Sequence, residues 1–302
     1  MPLPLNCFLM CASGAAYGID LSGSYHPDPI FSKAVAYNPA PAAMSSGVGG
    51  INACLVGQTA VGIIVAFRGT VWNSGLDWLQ DLFALPISVP GLPGLVHAGF
   101  AAAVQSLLPE VIKAVNALNP SATNPVYVTG HSKGGGMAPL AAYLLQQTNQ
   151  IPILQTVTFA APRSGDAAFA AGYQSVFSNH LRYENYGDLV PLVPPGQVFA
   201  NMLAKAANRI DVKGQSALSG PDLAKLMTDV AKANYTPVGS ELFIDHDGTL
   251  VPNEPLAEQV FDFGMYLAGH LFDSVPALVN SHSYQCGHGY MKGACSGTGV
   301  CS

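Results

Sequence analysis

One pentapeptide in this chain has the residue types and spacing of an acyl-transfer nucleophile. Gly130-His131-Ser132-Lys133-Gly134 is a G-x-S-x-G sequence. The apolar run Pro125–Thr129 before it reads as a buried strand, and Gly134-Gly135-Gly136-Met137-Ala138-Pro139-Leu140 after it starts a helix. A tight strand-to-helix turn lifts a serine hydroxyl clear of the backbone, and small flanking residues avoid the clash such a turn would cause. The helix N-terminus behind it offers N–H groups and a positive dipole end to a developing oxyanion. A serine used in this way needs a base to take its proton and a carboxylate to orient that base. In this arrangement the acid follows the serine in the chain and the histidine follows the acid. Asp188, after Tyr183-Glu184-Asn185-Tyr186-Gly187 and before Leu189-Val190-Pro191, has the setting of a strand-end acid, with Asp166 as its competitor. The histidines beyond it are His246, His270, His282 and His288. His246 belongs to a hairpin turn by its Asp247-Gly248 neighbours. The chemistry calls for neither a metal nor an organic cofactor.

The elements that must hold these residues follow a regular order. Val61–Phe67, Pro125–Thr129 and Ile153–Ala160 are short continuous apolar runs rich in β-branched residues, the pattern of strands covered on both faces of a parallel sheet. Between the first two, Phe100, Val104, Leu108, Val111, Val115 and Leu118 recur at helical spacing over Gly99–Leu118, with Pro109 a point of kinking. Strand, helix, strand, helix, strand is the grammar of a doubly wound α/β sheet. The opening stretch through Tyr17 reads as the first helix. Tyr235–Ile244 reads as a strand running into a turn at Gly248, and Glu254–Leu278 as one long or two shorter helices. After Ser219-Gly220-Pro221-Asp222, the residues Leu223, Leu226, Met227 and Val230 make an amphipathic helix. With no internal repeat and no long polar linker, residues 1–302 read as a single domain, with a helical insertion over 196–234 and a Cys/Gly-rich tail over 285–302.

Composition narrows the partners. Twelve Lys plus Arg against eighteen Asp plus Glu give a net charge of −6 without any basic run, which excludes a nucleic-acid partner that would need clustered positive charge. At 49% hydrophobic and 10% charged residues the chain is neither disordered nor a charged helical array. The most apolar late stretch, Pro255–Val279, carries Glu258, Asp262, His270 and Asp273, so no transmembrane segment is predicted. Cys7 and Cys11 lie near one end, Cys54 alone, and Cys286, Cys295 and Cys301 in the tail. A disulfide within the tail is expected over the rival metal site at Cys286 and His288, because no complete metal-ligand spacing accompanies that pair. Disulfides would favour a secreted, oxidising setting, whereas the opening residues carry no Lys or Arg before their apolar stretch, unlike a secretory signal.

Several further motifs accompany the pentapeptide in order: Phe67-Arg68-Gly69-Thr70, Asp77-Trp78-Leu79-Gln80-Asp81-Leu82, Val96-His97-Ala98-Gly99-Phe100, Thr158-Phe159-Ala160-Ala161-Pro162-Arg163-Ser164-Gly165-Asp166 and Asn185–Pro191. Together they resemble the class 3 lipases, the fungal-type lipase family, from about Ala12 to Asp188, with a weaker continuation at Tyr235–Ile244. The resemblance implies an α/β-hydrolase fold, a mostly parallel central sheet with helices on both faces. It implies Ser132 as nucleophile, Asp188 as acid and Asp166 as part of a structural turn. The base it implies is His282, followed by Ser283-Tyr284, where the family has its tyrosine one residue further along. His288 and then His246 are the alternatives. The oxyanion hole would use the N–H groups of Thr70 and Lys133. The family has leucine in place of Lys133, whose side chain reads as a solvated cation at the rim. Val71, Trp72, Asn73, Ser74, Gly75 and Leu76 occupy the family's lid position, the other reading being an ordinary loop with a buried Trp. Asp81 reads as a structural carboxylate. The implied partner is a lipid or ester substrate at a lipid–water interface, and the implied activity that of a triacylglycerol lipase. A short-chain carboxylesterase, a phospholipase A1 and a feruloyl-type esterase fit the same motifs. A non-catalytic lipid-binding protein on the same scaffold is the alternative of a different class.

Overall fold

The computed structural model describes residues 2–71, 84–195, 232–260 and 279–301. The strands are β1 (Ala42–Ser46), β2 (Asn52–Thr59), β3 (Gly62–Phe67), β4 (Pro86–Ile87), β5 (Val96–His97), β6 (Val126–His131), β7 (Ile153–Phe159), β8 (Gly165–Asp166), β9 (His180–Asn185), β10 (Tyr235–Thr236), β11 (Ser240–Ile244) and β12 (Leu250–Pro252). The α-helices are α1 (Leu5–Ala15), α2 (Pro29–Val35), α3 (Ala98–Ala117), α4 (Lys133–Tyr143), α5 (Ala167–Val176) and α6 (Gly289–Ala294).

Eight strands form one sheet in the order β1-β2-β3-β6-β7-β9-β11-β12. The run from β3 to β11 is parallel throughout, and antiparallel pairs flank it on both sides. The apolar runs read from the sequence are its central strands, with Gln155, Thr156 and Thr158 the polar residues that β7 carries among them. Ile63, Val65 and Phe67 of β3 pack with Val126 and Val128 against α3 and α4. Ile64 and Ala66 face the other way, with Tyr127, Val157 and Phe159, toward α1, α2 and α6. Both faces are therefore covered, as parallel strands require.

Helix α3 is long and apolar enough by composition to cross a membrane. Its Phe100, Val104, Leu107, Val111 and Val115 stripe is buried instead in the core against the sheet, and Pro109 lies inside the helix without ending it. Asp166 sits at the N-cap of α5, where Oδ1 accepts from Phe169 N at 2.8 Å and Leu95 N at 3.1 Å. The single strand expected over Tyr235–Ile244 is two, β10 and β11. Gly239 separates them at φ +83, and a Cβ there would stand 2.6 Å from the His180 ring. The amphipathic helix expected after Ser219 lies outside the described residues, as do Trp72–Leu76, Asp81 and most of Glu254–Leu278.

The register aligns the carboxyl ends of the parallel strands. Phe67 of β3 pairs with Gly130 of β6, His131 with Phe159, and Phe159 with Tyr183. Thr70, Ser132 and Asp188 follow β3, β6 and β9, at the sheet edge where open α/β folds bind ligands.

Candidate active site

Ser132 stands between β6 and α4 with φ +60 and ψ −133. A non-glycine residue at positive φ costs energy and is retained where the surroundings enforce it. Here the enforcement comes from packing. A Cβ on Gly130 would fall 2.3 Å from Gly134 O, and one on Gly134 would fall 2.1 Å from Phe67 O. Both glycines of the pentapeptide are thus required by the approach of α4 to β6 and β3. Ser132 occupies the N-cap of α4 but its hydroxyl makes no capping bond, unlike an ordinary serine cap. Its oxygen is not spent on the helix.

Arg68 holds the neighbouring Gly69-Thr70 segment. Its buried guanidinium donates to the carbonyls of Ile19 and of Gly50, the latter at 2.6 Å. A Cβ on Gly69 would lie 2.9 Å from the Ser132 Cβ, so this segment runs directly against the serine. Lys133 departs from the expected solvated cation. It is half-buried and donates from Nζ to Asn52 Oδ1 at 2.7 Å. An amine is disfavoured at the positive end of a helix, and this one is anchored on β2.

Asp188 and His282 meet in the interior. His282 Nδ1 lies 2.9 Å from Asp188 Oδ2, and the side chains are 1% and 2% exposed. Asp188 Oδ1 accepts from Val190 N at 2.9 Å, and Tyr290 donates its hydroxyl to Oδ2 at 2.7 Å. Burial and the Asp188 charge push the Tyr290 phenol well above its ordinary range, which keeps it a donor. The chain entering His282 is held too: Asn185 Nδ2 donates to Ser281 O at 2.7 Å, and Ser281 Oγ to Gly187 O at 2.9 Å. The two alternative histidines stand elsewhere. His246 is exposed in the β11–β12 hairpin beside Asp245, at 2.9 Å. His288 is exposed at the N-cap of α6. His270 lies outside the described residues.

A cleft of about 350 Å³ opens here, its wall made by Tyr17, Val71, Val279 and Tyr284 together with the polar His131, His282, Ser283 and Gln285. Tyr17 and Tyr284 stack face to face with centroids 3.9 Å apart.

Two disulfides tie the tail down. Cys286–Cys301 closes the loop expected from composition, and Cys7–Cys295 joins α1 to the end of α6. The metal alternative at Cys286 and His288 is overturned, because Cys286 is oxidised. Tyr290, Tyr17 and His131 were not singled out by sequence reasoning. Their partners are more than a hundred residues away, and no local pattern marks such contacts.

Residues 64–198 match the family model described as Lipase (class 3). A segment of just under half the chain is thus similar to the class 3 lipases. Its match covers β3 through the Asp188 turn, the segment that carries Ser132. A lipase of Rhizomucor miehei is 35% identical over 146 residues, covering 46% of this chain and 39% of that protein. Phospholipase A(1) DAD1, chloroplastic, of Arabidopsis thaliana is 30% identical over 158 residues, covering 46% and 35%. The chain thus spans well under half the length of these curated relatives. A solved triacylglycerol lipase described as having a serine-protease triad superposes with a TM-score of 0.60 over 82% of both chains at 23% identity. That likeness shows an α/β-hydrolase fold.

Proposed function

We propose that the chain is a serine hydrolase of carboxylic esters whose substrates are acylglycerols or similar fatty esters, with residues 1–302 acting as one catalytic domain. The observation that carries this reading is the buried His282–Asp188 pair at the sheet edge that also carries the strained Ser132. With Nδ1–H given to the carboxylate, Nε2 is the ring nitrogen that serves as the base in this reading.

Ser132 Oγ attacks the ester carbonyl as His282 takes its proton. The N–H groups of Thr70 and Lys133 receive the oxyanion, at the end of β3 and the start of α4. Collapse expels the alcohol, which leaves with the proton from His282. A water molecule, deprotonated by the same imidazole, then releases the acid from Ser132. Asp188 stays ionised throughout and stabilises the imidazolium. Fatty esters are favoured by the apolar and aromatic side chains of Tyr17, Val71, Val279 and Tyr284 in the cleft wall and by relatives whose names are lipase and phospholipase A(1). In this reading residues 71–76, of which 72–76 lie outside the described residues, serve as a lid, which would suit a substrate presented at a lipid–water interface.

The test is a nitrophenyl ester series from acetate to palmitate, below and above each ester's solubility limit, with Ser132→Ala as the blank. Preference for long chains with a rise at the interface supports a lidded lipase. Preference for short soluble esters replaces it with an esterase, and turnover no greater than the blank refutes the hydrolase.

A further inference from the structure

His131, the residue before the serine, is completely buried and makes two hydrogen bonds that the hydrolytic steps above do not use. Its Nε2 lies 2.7 Å from the main-chain carbonyl oxygen of His282, and its Nδ1 lies 2.8 Å from the Tyr17 hydroxyl. The chemistry of the partners settles who donates. A carbonyl oxygen only accepts, so Nε2 carries the hydrogen. In a neutral imidazole Nδ1 is then bare and accepts, so the Tyr17 O–H is the donor. Burial, followed by the neighbouring His282, pushes His131 well below the ordinary histidine range, in keeping with a ring that stays neutral. Tyr17 is itself held in place by the stacked Tyr284.

We propose that Tyr17 and His131 are positioning residues for the base: a relay from Tyr17 O–H to His131 Nδ1, and from His131 Nε2–H to His282 O, fixes the main chain of His282 relative to Ser132. The inference rests on the reading of Ser132 and His282 as nucleophile and base. A base must be held to within about half an ångström of its productive position. Asp188 restrains the His282 ring from one side, and the relay restrains its backbone from the other. Because His131 is covalently next to Ser132, the same ring that pins the base also moves with the nucleophile. Tyr17 acts through His131. Without the Tyr17 donor, the ring is free to take the other tautomer, which would turn a bare Nε2 toward the His282 carbonyl and break the pin.

The test uses the full chain and a soluble short-chain nitrophenyl ester, with kcat and KM measured separately. His131→Ala is expected to lower kcat about 10- to 100-fold with KM within about threefold, the scale of loss for a misplaced catalytic group. His131→Gln, whose amide N–H reaches the position of Nε2–H, is expected to recover most of that loss. Tyr17→Phe removes a single oxygen and is expected to lower kcat about 3- to 10-fold. The double variant Tyr17→Phe/His131→Ala is expected to be no slower than His131→Ala alone, since Tyr17→Phe keeps the ring stacked on Tyr284 and takes away the hydroxyl whose hydrogen bond runs to His131. Additive losses in the double variant, or equal activity of the Ala and Gln variants, would overturn the relay. Should His131→Ala fail to fold, Tyr17→Phe with unchanged melting temperature and unchanged kcat overturns it as well. Failure of the underlying reading looks different: the wild-type protein would neither turn over the ester nor be labelled at Ser132 by an organophosphate.

Discussion

The Tyr290 hydroxyl donates to Asp188 Oδ2 at 2.7 Å, the same carboxylate oxygen that faces His282 Nδ1 at 2.9 Å. One buried oxygen therefore takes two donors, one from just before the tail and one from α6 within it, while Oδ1 takes the main-chain N–H of Val190 at 2.9 Å. These bonds offset the cost of burying an anion away from water. They also make the orientation of Asp188 depend on α6, a short helix at the far end of the chain.

Tyr290→Phe keeps the ring and removes one donor. A hydrogen bond to a charged group contributes about 1.5–3 kcal/mol, so denaturant titration is expected to show a loss of that size. Ester turnover is expected to fall several-fold as Asp188 gains freedom to rotate away from His282. A variant as stable and as fast as the wild type would mean that Asp188 is fully satisfied without Tyr290.

The serine turn tolerates no extra carbon at its second glycine. In Gly134→Ala the new methyl would lie 2.1 Å from Phe67 O and 2.9 Å from Arg68 C, so β3 or α4 must move. Either shift alters the spacing of Thr70 from Ser132, and the expected result is a loss of ester turnover of about 100-fold or more. Soluble protein that retains wild-type rates would show that the turn can relax without cost.

The fold and the site were legible to different degrees, for physical reasons. β3 and β6 could be read because both their faces are covered, which leaves an uninterrupted apolar run. Gly130 and Gly134 could be read because a strand meeting a helix at this angle excludes a Cβ, a constraint written into five consecutive residues. The break at Gly239 was invisible, since nothing near it in sequence announces the His180 ring that approaches it. The same holds for the partners of Asp188 and His282. Tyr290 lies in a Gly-rich tail with no periodicity, and its place is set by Cys7–Cys295, a link across 288 positions. Composition suggested that the tail cysteines pair among themselves; only the packing of α6 on α1 shows that one of them reaches Cys7.

That link has a neighbour. The Sγ atoms of Cys7, Cys11 and Cys295 all lie within 4.8 Å of one another, and Cys11 remains a buried thiol. Burial pushes it up to about 12, so in the folded protein it is protonated and a poor nucleophile. Local opening returns it to about 8.5. Its thiolate then attacks Cys7 Sγ, the Cys7–Cys295 bond breaks, and Cys295 leaves as a thiolate that takes up a proton. The expected consequence is that Cys11→Ala slows irreversible inactivation under warm alkaline conditions, with a Cys7–Cys11 linked peptide found by mass spectrometry only in the parent protein. Removing both Cys7 and Cys295 is expected to cost about 2–5 kcal/mol. Equal inactivation rates and no rearranged peptide would dismiss the exchange.

A buried carboxylate pair predicts how stability depends on pH. Glu184 and Glu241, each 5% exposed, share the guanidinium of Arg182, at 2.7 Å from Nε and 3.1 Å from Nη2. Gln259 donates to the other oxygen of Glu241 at 2.5 Å. Burial first, and the Glu184 charge second, push Glu241 up to about 8, against the pull of Arg182. Unfolded, the same group titrates near about 4.3. Between these values the unfolded chain binds fewer protons than the folded one, so this site makes stability fall as pH rises through that window and level off above it. Its contribution is fully present below the unfolded value and lost by the folded one, with a slope of at most about 1.4 kcal/mol per pH unit. Glu241→Gln keeps the shape and an acceptor for Gln259 while removing the proton equilibrium. Denaturant titrations from about pH 4 to pH 9, bracketing that window, are therefore expected to show the Gln variant gaining on the parent as pH rises. Parallel stability curves would mean that the pair keeps the same protonation folded and unfolded.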